Sequence, residues 1–331
     1  MVSYKTAEMV IQCLRTLIAE QRAAKDVGIE TRVLVVDNDS GDAPALEQFV
    51  EAEGVGGFIK IIRAERNGGF AYGNNVAFRY AYDSGVIPDY FWLLNPDTEV
   101  FPRGLIELVE FMASYPEVGI AGSALTLHDG TVFPYTFRFP TPVSELNNGL
   151  AWGIFDKLFP VGVAYKKIGT GPEEADWLPG ASMLLRRSVV ETIGGMDEAY
   201  FLYFEETDYC RRMKEVGFST YYVPRSVVKH VPGGSTGVTT LTEKARRRPA
   251  YWYESRRRYY HNNFGLPLAI AADAAFVWAG TLGVIKRILQ GKGEENVPHQ
   301  IRDVIAHSPL WKKNRTLAAP NKFRPARIQD R

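Results

Sequence analysis

The stretch Phe91-Trp92-Leu93-Leu94-Asn95-Pro96-Asp97-Thr98-Glu99 decides how this 331-residue chain is read. Four large apolar residues in a row, stopped by Asn-Pro, predict a strand buried on both faces, because proline cannot continue a sheet ladder. Asp97 then lies at the carboxyl end of that strand. In open α/β sheets ligands bind along that rim, and a carboxylate there can hold a hard divalent cation that also touches substrate phosphates. Taken alone, Asn-Pro-Asp-Thr reads first as ordinary turn and helix-capping chemistry, so the company it keeps matters.

Upstream, Met1-Val2-Ser3-Tyr4 reads as the last fragment of a strand, with Thr6 as N-cap of a helix whose apolar positions are Met9, Val10, Cys13, Leu14, Leu17 and Ile18. The β-branched run Arg32 to Val36 ends in the polar loop Asp37 to Asp42, followed by a helix around Ala45 to Val50. Phe58 to Ile62 is the next strand; the loop Arg66 to Phe70 and a helix opened by Asn74 and Asn75 follow it. Strands alternating with helices at this spacing imply right-handed βαβ crossovers and a parallel sheet, with the polar loops on one rim.

Downstream, Leu105 to Met112 is an amphipathic helix and Val118 to Gly122 a short strand. Residues 123 to 175 are less regular, with an aromatic-rich run from Trp152 to Tyr165, and read as an insertion. Trp177 to Leu185 returns to the sheet, Arg187 to Ile193 is a helix closed by Gly194-Gly195, and a further helix covers Thr207 to Val216. Ser219 to Val223 is a strand ended by Pro224; His230 and the flexible run Pro232 to Thr236 come next. A basic helix then carries Arg246, Arg247, Arg248, Arg256, Arg257 and Arg258, most of them expected at the surface. Leu266 to Ile285 has the length and composition to cross a bilayer, but Asp273 within it makes a span costly. A helix lying in the membrane interface or packed on the domain is the expectation, with a basic tail from Arg302 to Arg331.

Composition narrows the classes. With 46% hydrophobic residues the chain can bury a large core, and 39 basic against 38 acidic residues do not suggest a nucleic-acid binder overall, although the basic residues gather after Lys244. Cys13 and Cys210, far apart in helical patterns, indicate a reducing compartment and no metal cluster. The N-terminus shows no signal-peptide pattern, so export is not expected.

Six motifs occur in order: Val35-Val36-Asp37-Asn38-Asp39-Ser40, Asn67-Gly68-Gly69-Phe70-Ala71-Tyr72-Gly73-Asn74-Asn75, Leu94-Asn95-Pro96-Asp97, Gly194-Gly195-Met196-Asp197-Glu198, Phe204-Glu205-Glu206-Thr207-Asp208, and His230. Together they resemble the family 2 inverting glycosyltransferases of GT-A fold, and within them the bacterial rhamnosyltransferase-like branch that builds cell-surface polysaccharide. The resemblance implies an α/β, Rossmann-like, mostly parallel sheet flanked by helices, with a helical C-terminal appendage. Residues 1–240 would be the transferase domain, split into a nucleotide-sugar-binding half (1–122) and an acceptor-side half (123–240), and 241–331 a basic helical region.

For the donor, the resemblance implies that Asp37, Asp39 and Ser40 read the nucleobase and ribose, the competing reading being a capped polar loop. Asn67, Gly68, Gly69 and Asn74 would lie near the donor, the glycines permitting close backbone approach; a plain turn and a helix cap are the alternatives. Asn95-Pro96-Asp97 stands where the family shows Asp-X-Asp, leaving Asp97 as the main carboxylate on Mg²⁺ or Mn²⁺, with His230 as a second ligand favouring Mn²⁺. A strand-end histidine facing solvent is the competing reading of His230.

On the acceptor side, Glu206 takes the place of the family's catalytic aspartate, with Glu205 and Asp208 as alternatives. Favourable charge at a helix N-terminus would account for the same acids. Trp177 and Gly180 match the acceptor-side strand, where an indole can stack on a sugar or simply fill the core. Arg257 and Arg258 could pair with a diphosphate. The implied reaction moves rhamnose from dTDP-rhamnose to a saccharide or lipid-linked saccharide. It would take place in the cytoplasm or peripherally on the inner face of the plasma membrane, without nucleic acid. UDP-hexose or UDP-galactofuranose transfer, and a catalytically silent carbohydrate-binding protein, are the alternatives.

Overall fold

A computed structural model describes residues 1–133, 135–150, 165–230, 246–291 and 297–311. Strands β1 (Val2–Ser3), β2 (Val33–Asp37) and β3 (Ile59–Arg63) form a parallel sheet in that order. Helices α1 (Ala7–Asp26) and α2 (Ala43–Ala52) are its crossovers, and α3 (Gly69–Asp83) leaves it. Val10, Cys13, Leu14 and Leu17 recur at helical spacing and bury one face of α1 against Val35, Leu46 and Ile59. Met9 of the expected stripe is exposed instead.

The opening stretch makes β4 (Tyr90–Leu94), but only Leu93 and Leu94 are fully buried; Phe91 and Trp92 are half-buried. A second strand, β5 (Thr98–Val100), starts after a three-residue turn. The larger sheet adds β6 (Val118–Thr126), a short separate pair of β7 (Tyr135–Phe137) with β8 (Tyr165–Lys167) lies outside it, and β9 (Glu173–Ala175), β10 (Ser182–Arg186) and β11 (Ser219–His230) complete it. Its order is β4-β10-β6-β11-β5, with β9 on β11.

The α/β class holds, with helices flanking the sheets and a helical C-terminal region. The larger sheet is mixed, however: β6 and β11 run parallel, while β10 is antiparallel to both β4 and β6, and β5 and β9 to β11. The three residues joining β4 to β5 are too few for a crossover. β10 wedges between β4 and β6 after the excursion through α4 (Gly104–Ser114) and α5 (Pro142–Leu150).

Other boundaries also move. β11 continues past Pro224 to His230, because the proline sits where the register with β6 shifts between Val223 and Val227 and no ladder donor is needed. α3 begins at Gly69, so Asn74 and Asn75 lie inside it and do not cap it. Trp177 to Ala181 precede β10 as an extended loop. Helices α6 (Arg187–Ile193) and α7 (Glu205–Glu215) follow, then α8 (Ala250–Leu289) and α9 (Gln300–His307).

Helix α8 is broken at Gly265 (φ 76°, ψ 169°), two residues before Pro267. Arg256, Arg257 and Arg258 are buried, contrary to the surface expectation, because acids scattered through the chain meet Arg256 and Arg258. Arg256 pairs with Asp273 across the break and with Glu145 of α5 at 2.8 Å. Close backbone approach of Gly149 to Gly280 and Gly283 seats the second half of α8 on α5. The apolar segment is therefore packed on the domain along one side. Its other side exposes Leu266, Leu268, Trp278, Leu282, Ile285 and Leu289. Residues 151–164, which hold most of the aromatic-rich run, lie outside the described residues, as do the segment Pro232 to Thr236 and the basic tail beyond Trp311.

Candidate active site

The loops after β1, β2 and β3 interlock. Asp42 Oδ2 accepts from Ser3 Oγ at 2.6 Å and from Thr6 N–H at 2.8 Å, and Asn38 N–H donates to Ser3 O at 2.8 Å. Asp37 organises its own loop: Oδ1 accepts from Ser40 N–H (2.9 Å) and Ser40 Oγ (2.6 Å), and Oδ2 from Ala43 N–H (2.9 Å). Burial by itself would raise this carboxyl's pKa, but those hydrogen bonds together hold it below its ordinary value. Asp39, left-handed at φ 59°, is exposed beside it.

The donor-side loop is tied to this corner through Asn38, a motif residue with no role assigned from sequence. Its Nδ2 donates to Asn67 Oδ1 (3.0 Å) and Gly69 O (3.1 Å), and Asn67 Oδ1 also accepts from Gly69 N–H. Gly69 has φ 80°, and a Cβ there would overlap the Phe201 carbonyl oxygen. This position requires glycine for both reasons. Gly68 precedes α3 as its N-cap. Within α3, Asn74 Nδ2 bonds Phe70 O, while the fully buried Asn75 accepts from Met196 N–H and donates to Met196 O and Glu198. Asn75 thus fastens α3 to the Gly194 to Glu198 motif, a link 121 residues apart in sequence.

From there direct contacts continue to the acid pair. Phe70 N–H donates to Phe201 O at 2.9 Å, and Phe70 lies against Gly180. The Gly180 backbone N–H is near enough to the Glu206 carboxylate to favour its charged form. Next to Gly180, Ala181 O accepts from Asn95 N–H at 3.0 Å, and Thr98 Oγ1 closes the Asn95-Pro96-Asp97 turn on Asn95 O at 2.7 Å. β11 pairs with β5 in the register His230↔Thr98, which brings His230 Nε2 to 3.6 Å from Asp97 Oδ1.

Asp97 and His230 are oxygen and nitrogen donors that suit Mg²⁺ or Mn²⁺. Burial lowers the pKa of the imidazole, opposed by Asp97, and so favours the neutral ring that binds metals. Among the described residues no cluster of three or more such ligands occurs. An ion at this pair would take its other oxygens from a phosphate and water.

Glu205 and Glu206 open α7 behind Phe204. A helix N-terminus favours the carboxylate form, but here burial wins. It pushes Glu206 up to about 7, with its own N–H and that of Gly180 pulling the other way. Glu205 is raised well above its ordinary value, first by burial and then by the charge of Glu206. Oε2 of each is buried without a hydrogen-bond partner. The two carboxyls therefore keep a proton to higher pH than an ordinary glutamate does, and they titrate as a pair.

Four sequence candidates are directed elsewhere. Asp208 accepts from Arg212 Nε (2.7 Å) and from Tyr200 Oη (3.3 Å), so it braces α7 and does not compete as a base. Arg258 is 1% exposed and gives its guanidinium to Asp197, which removes it from any diphosphate. Arg257 Nη1 donates to His307 O of α9. Trp177 stacks on Phe137 with rings 4.4 Å apart and donates Nε1–H to Arg138 O, so one indole face belongs to the core.

The chain belongs to the family described as glycosyltransferase like family 2, whose sequence profile matches residues 1–255. It is 32% identical over 155 residues to the N-acetylglucosaminyl-diphospho-decaprenol L-rhamnosyltransferase of Mycobacterium tuberculosis, covering 46% of this chain and 50% of that protein. It is 29% identical over 163 residues to the rhamnosyltransferase WbbL of Escherichia coli, covering 47% and 58%. Among solved structures, that of GalNAc-T7 with UDP, GalNAc and Mn2+ superposes with a TM-score of 0.48 at 14% identity, over 85% of this chain and 52% of that one. The aligned region spans about half the length of the two rhamnosyltransferases.

Proposed function

We propose that the chain is an inverting, metal-dependent glycosyltransferase that moves a deoxyhexose, with dTDP-rhamnose as first choice of donor, to a hydroxyl of a lipid-linked saccharide. The observation that carries this reading is the carboxyl of Glu206, set at the start of α7 beside Glu205 and pushed by burial up to about 7. A base whose pKa lies near the working pH is suited to general-base transfer. Glu206 takes the acceptor hydroxyl proton while that oxygen bonds to the anomeric carbon, and the bond from that carbon to the diphosphate oxygen breaks on the opposite face. The nucleoside diphosphate leaves and the anomeric configuration inverts. Asp97 and His230 would hold the divalent ion, which supplies charge compensation to the departing diphosphate. Asp37, Asn38, Asn67 and Gly69 keep the donor-side backbone in place. The names of the two rhamnosyltransferase relatives support the choice of sugar, and that of the mycobacterial one the diphospholipid acceptor.

A lipid-linked acceptor calls for a protein that works at a membrane surface. The exposed stripe Leu266, Leu268, Trp278, Leu282, Ile285 and Leu289 on α8 supports peripheral contact with the inner face of the plasma membrane. Lys286 and Arg287 near its end suit anionic headgroups. The test is a panel of sugar nucleotides with Mn²⁺ or Mg²⁺ and an extracted lipid-linked acceptor, with and without EDTA. EDTA-sensitive nucleoside diphosphate release with dTDP-rhamnose is expected. Release with UDP-hexose alone would reassign the donor, and no release with any donor would refute the activity.

A further inference from the structure

Between the donor-side loop and the acid pair runs the segment from Asp197 to Phe204. Its last two residues are aromatic and both left-handed, Tyr203 at φ 71° and Phe204 at φ 67°. Side chains with a Cβ avoid that region, and such a turn persists only where its surroundings over-determine it. The first half of α8 supplies those surroundings. Ser255 Oγ, in a buried side chain, donates to Leu202 O at 3.0 Å. Tyr251 stacks on Tyr203 with rings 6.2 Å apart and 13° from parallel, and lies 5.3 Å from the Phe201 ring. Trp252 and Tyr259 close on Phe204 at 5.7 and 5.5 Å.

At the other end of the segment Arg258 Nε and Nη2 donate to Asp197 Oδ2 at 2.9 and 2.7 Å, with both side chains 1% exposed. The Arg258 guanidinium lies 5.6 Å from the Tyr200 ring, and Tyr200 passes its hydroxyl to Asp208 on α7. What the segment joins gives these contacts their meaning. Phe201 O receives the Phe70 N–H of the donor-side loop, and Phe204 is the N-cap of α7, whose first residues are Glu205 and Glu206. A shift of the turn moves both.

We propose that Ser255, Tyr251 and Arg258 are positioning residues: the first half of α8 clamps the strained 201–204 turn and so fixes the aim of Glu206 relative to the donor-side loop. The family profile ends at residue 255, so Arg258 and Tyr259 lie beyond it, and the C-terminal helix is on this view part of the catalytic unit. The activity readout of this inference rests on the transferase reading, and its structural readout does not.

Ser255→Ala removes one hydroxyl and Tyr251→Leu one stacked ring, and neither strands a buried charge. In each, kcat is expected to fall roughly tenfold to a hundredfold while the donor KM stays within about twofold, the pattern of a misaimed group rather than lost donor binding. Ser255→Thr and Tyr251→Phe should restore most of the rate. Amide hydrogen exchange over residues 197–208, measured on the full chain without substrate, should quicken in the two deleterious variants and return in the two conservative ones. Wild-type kcat and wild-type exchange in both variants would overturn the clamp, as would kcat and KM changing together in step with lost thermal stability. If the wild type releases no nucleoside diphosphate, the transferase reading fails while the exchange measurement still decides the clamp.

Discussion

Asp37 ends a strand of the parallel sheet and Glu206 opens a helix after the mixed sheet's β10, and their surroundings drive these two carboxylates in opposite directions. On the parallel-sheet side, Asp37 commits both oxygens to Ser40 and Ala43, which overcomes burial and keeps it ionised below the usual range. On the mixed-sheet side, Glu205 is buried and Glu206 half-buried at a helix start, each with one buried and unbonded oxygen, and desolvation raises both. A carboxylate saturated with donors is a structural anion: it holds a loop and has little basicity left. A carboxylate starved of donors is a reservoir of basicity. The chain thus separates a side that must stay fixed from a side that must exchange a proton.

The largest effect that would break or sharpen this contrast belongs to Glu206→Gln. Loss of a general base is expected to lower kcat by on the order of 10² to 10⁴, measured as nucleoside diphosphate release. In the wild type the rate should climb with pH through about 7, since the base acts deprotonated. Stability should move the other way. A pKa raised in the folded state means that the protonated carboxyl stabilises the fold below its unfolded value near 4.5, and that this is lost as pH rises through about 7. The Gln variant escapes that loss, so at pH 8 it should melt roughly 2–4 °C above the wild type and at pH 4 show no such gain. A melting gain at pH 4 as large as at pH 8 would show that ionisation of Glu206 is not what strains the site.

Asp37→Asn gives the intermediate effect and tests the opposite side. An amide offers one acceptor oxygen where three donors converge, so about 1–3 kcal/mol of stability should go, with a higher donor KM and little change in kcat. Here the sign reverses. A carboxyl depressed in the folded state stabilises above its unfolded value near 3.8, and the contribution fades as pH falls through the lower folded value. Denaturant titrations of wild type and variant should therefore diverge at pH 7 and converge towards strongly acid pH. Equal gaps at both pH values would mean that the lost hydrogen bonds act independently of charge.

The two sides also differ in how openly the sequence displays them. β2, β3 and their helices are local patterns, a β-branched run followed by an apolar helical stripe, and these appear where the spacing puts them. The direction of β10 is a non-local fact: nothing within Ser182 to Arg186 states that it will enter between β4 and β6. In the site, Asp97 and His230 are legible as strand-end groups, and their proximity follows from the β5 to β11 register. Asn38, Asn75 and the Phe201 carbonyl are not, because their partners are mostly backbone atoms in distant segments. Arg256 and Arg258 read as a solvated basic run because Glu145, Asp197 and Asp273, the acids that bury them, are scattered over more than 120 residues. The clue available is that the 38 acids and 39 basic residues balance almost one for one across the chain.

The smallest effect is the most discriminating between the two adjacent acids. If Glu205 carries its proton at neutral pH, its amide analogue has the same charge and nearly the same shape, so Glu205→Gln should slow transfer by only about two- to threefold. The acid limb of the rate profile should stay near pH 7, because burial and not the neighbouring carboxyl is the leading cause of the shift at Glu206. The two variants therefore separate by about two orders of magnitude if the pair divides its work in this way. Were Glu205→Gln to abolish transfer while Glu206→Gln retained it, the base would be the deeper carboxyl. The contrast with Asp37 would still stand, but the proton would have to reach solvent through Glu206, and the acid limb would then move when Glu206 is replaced.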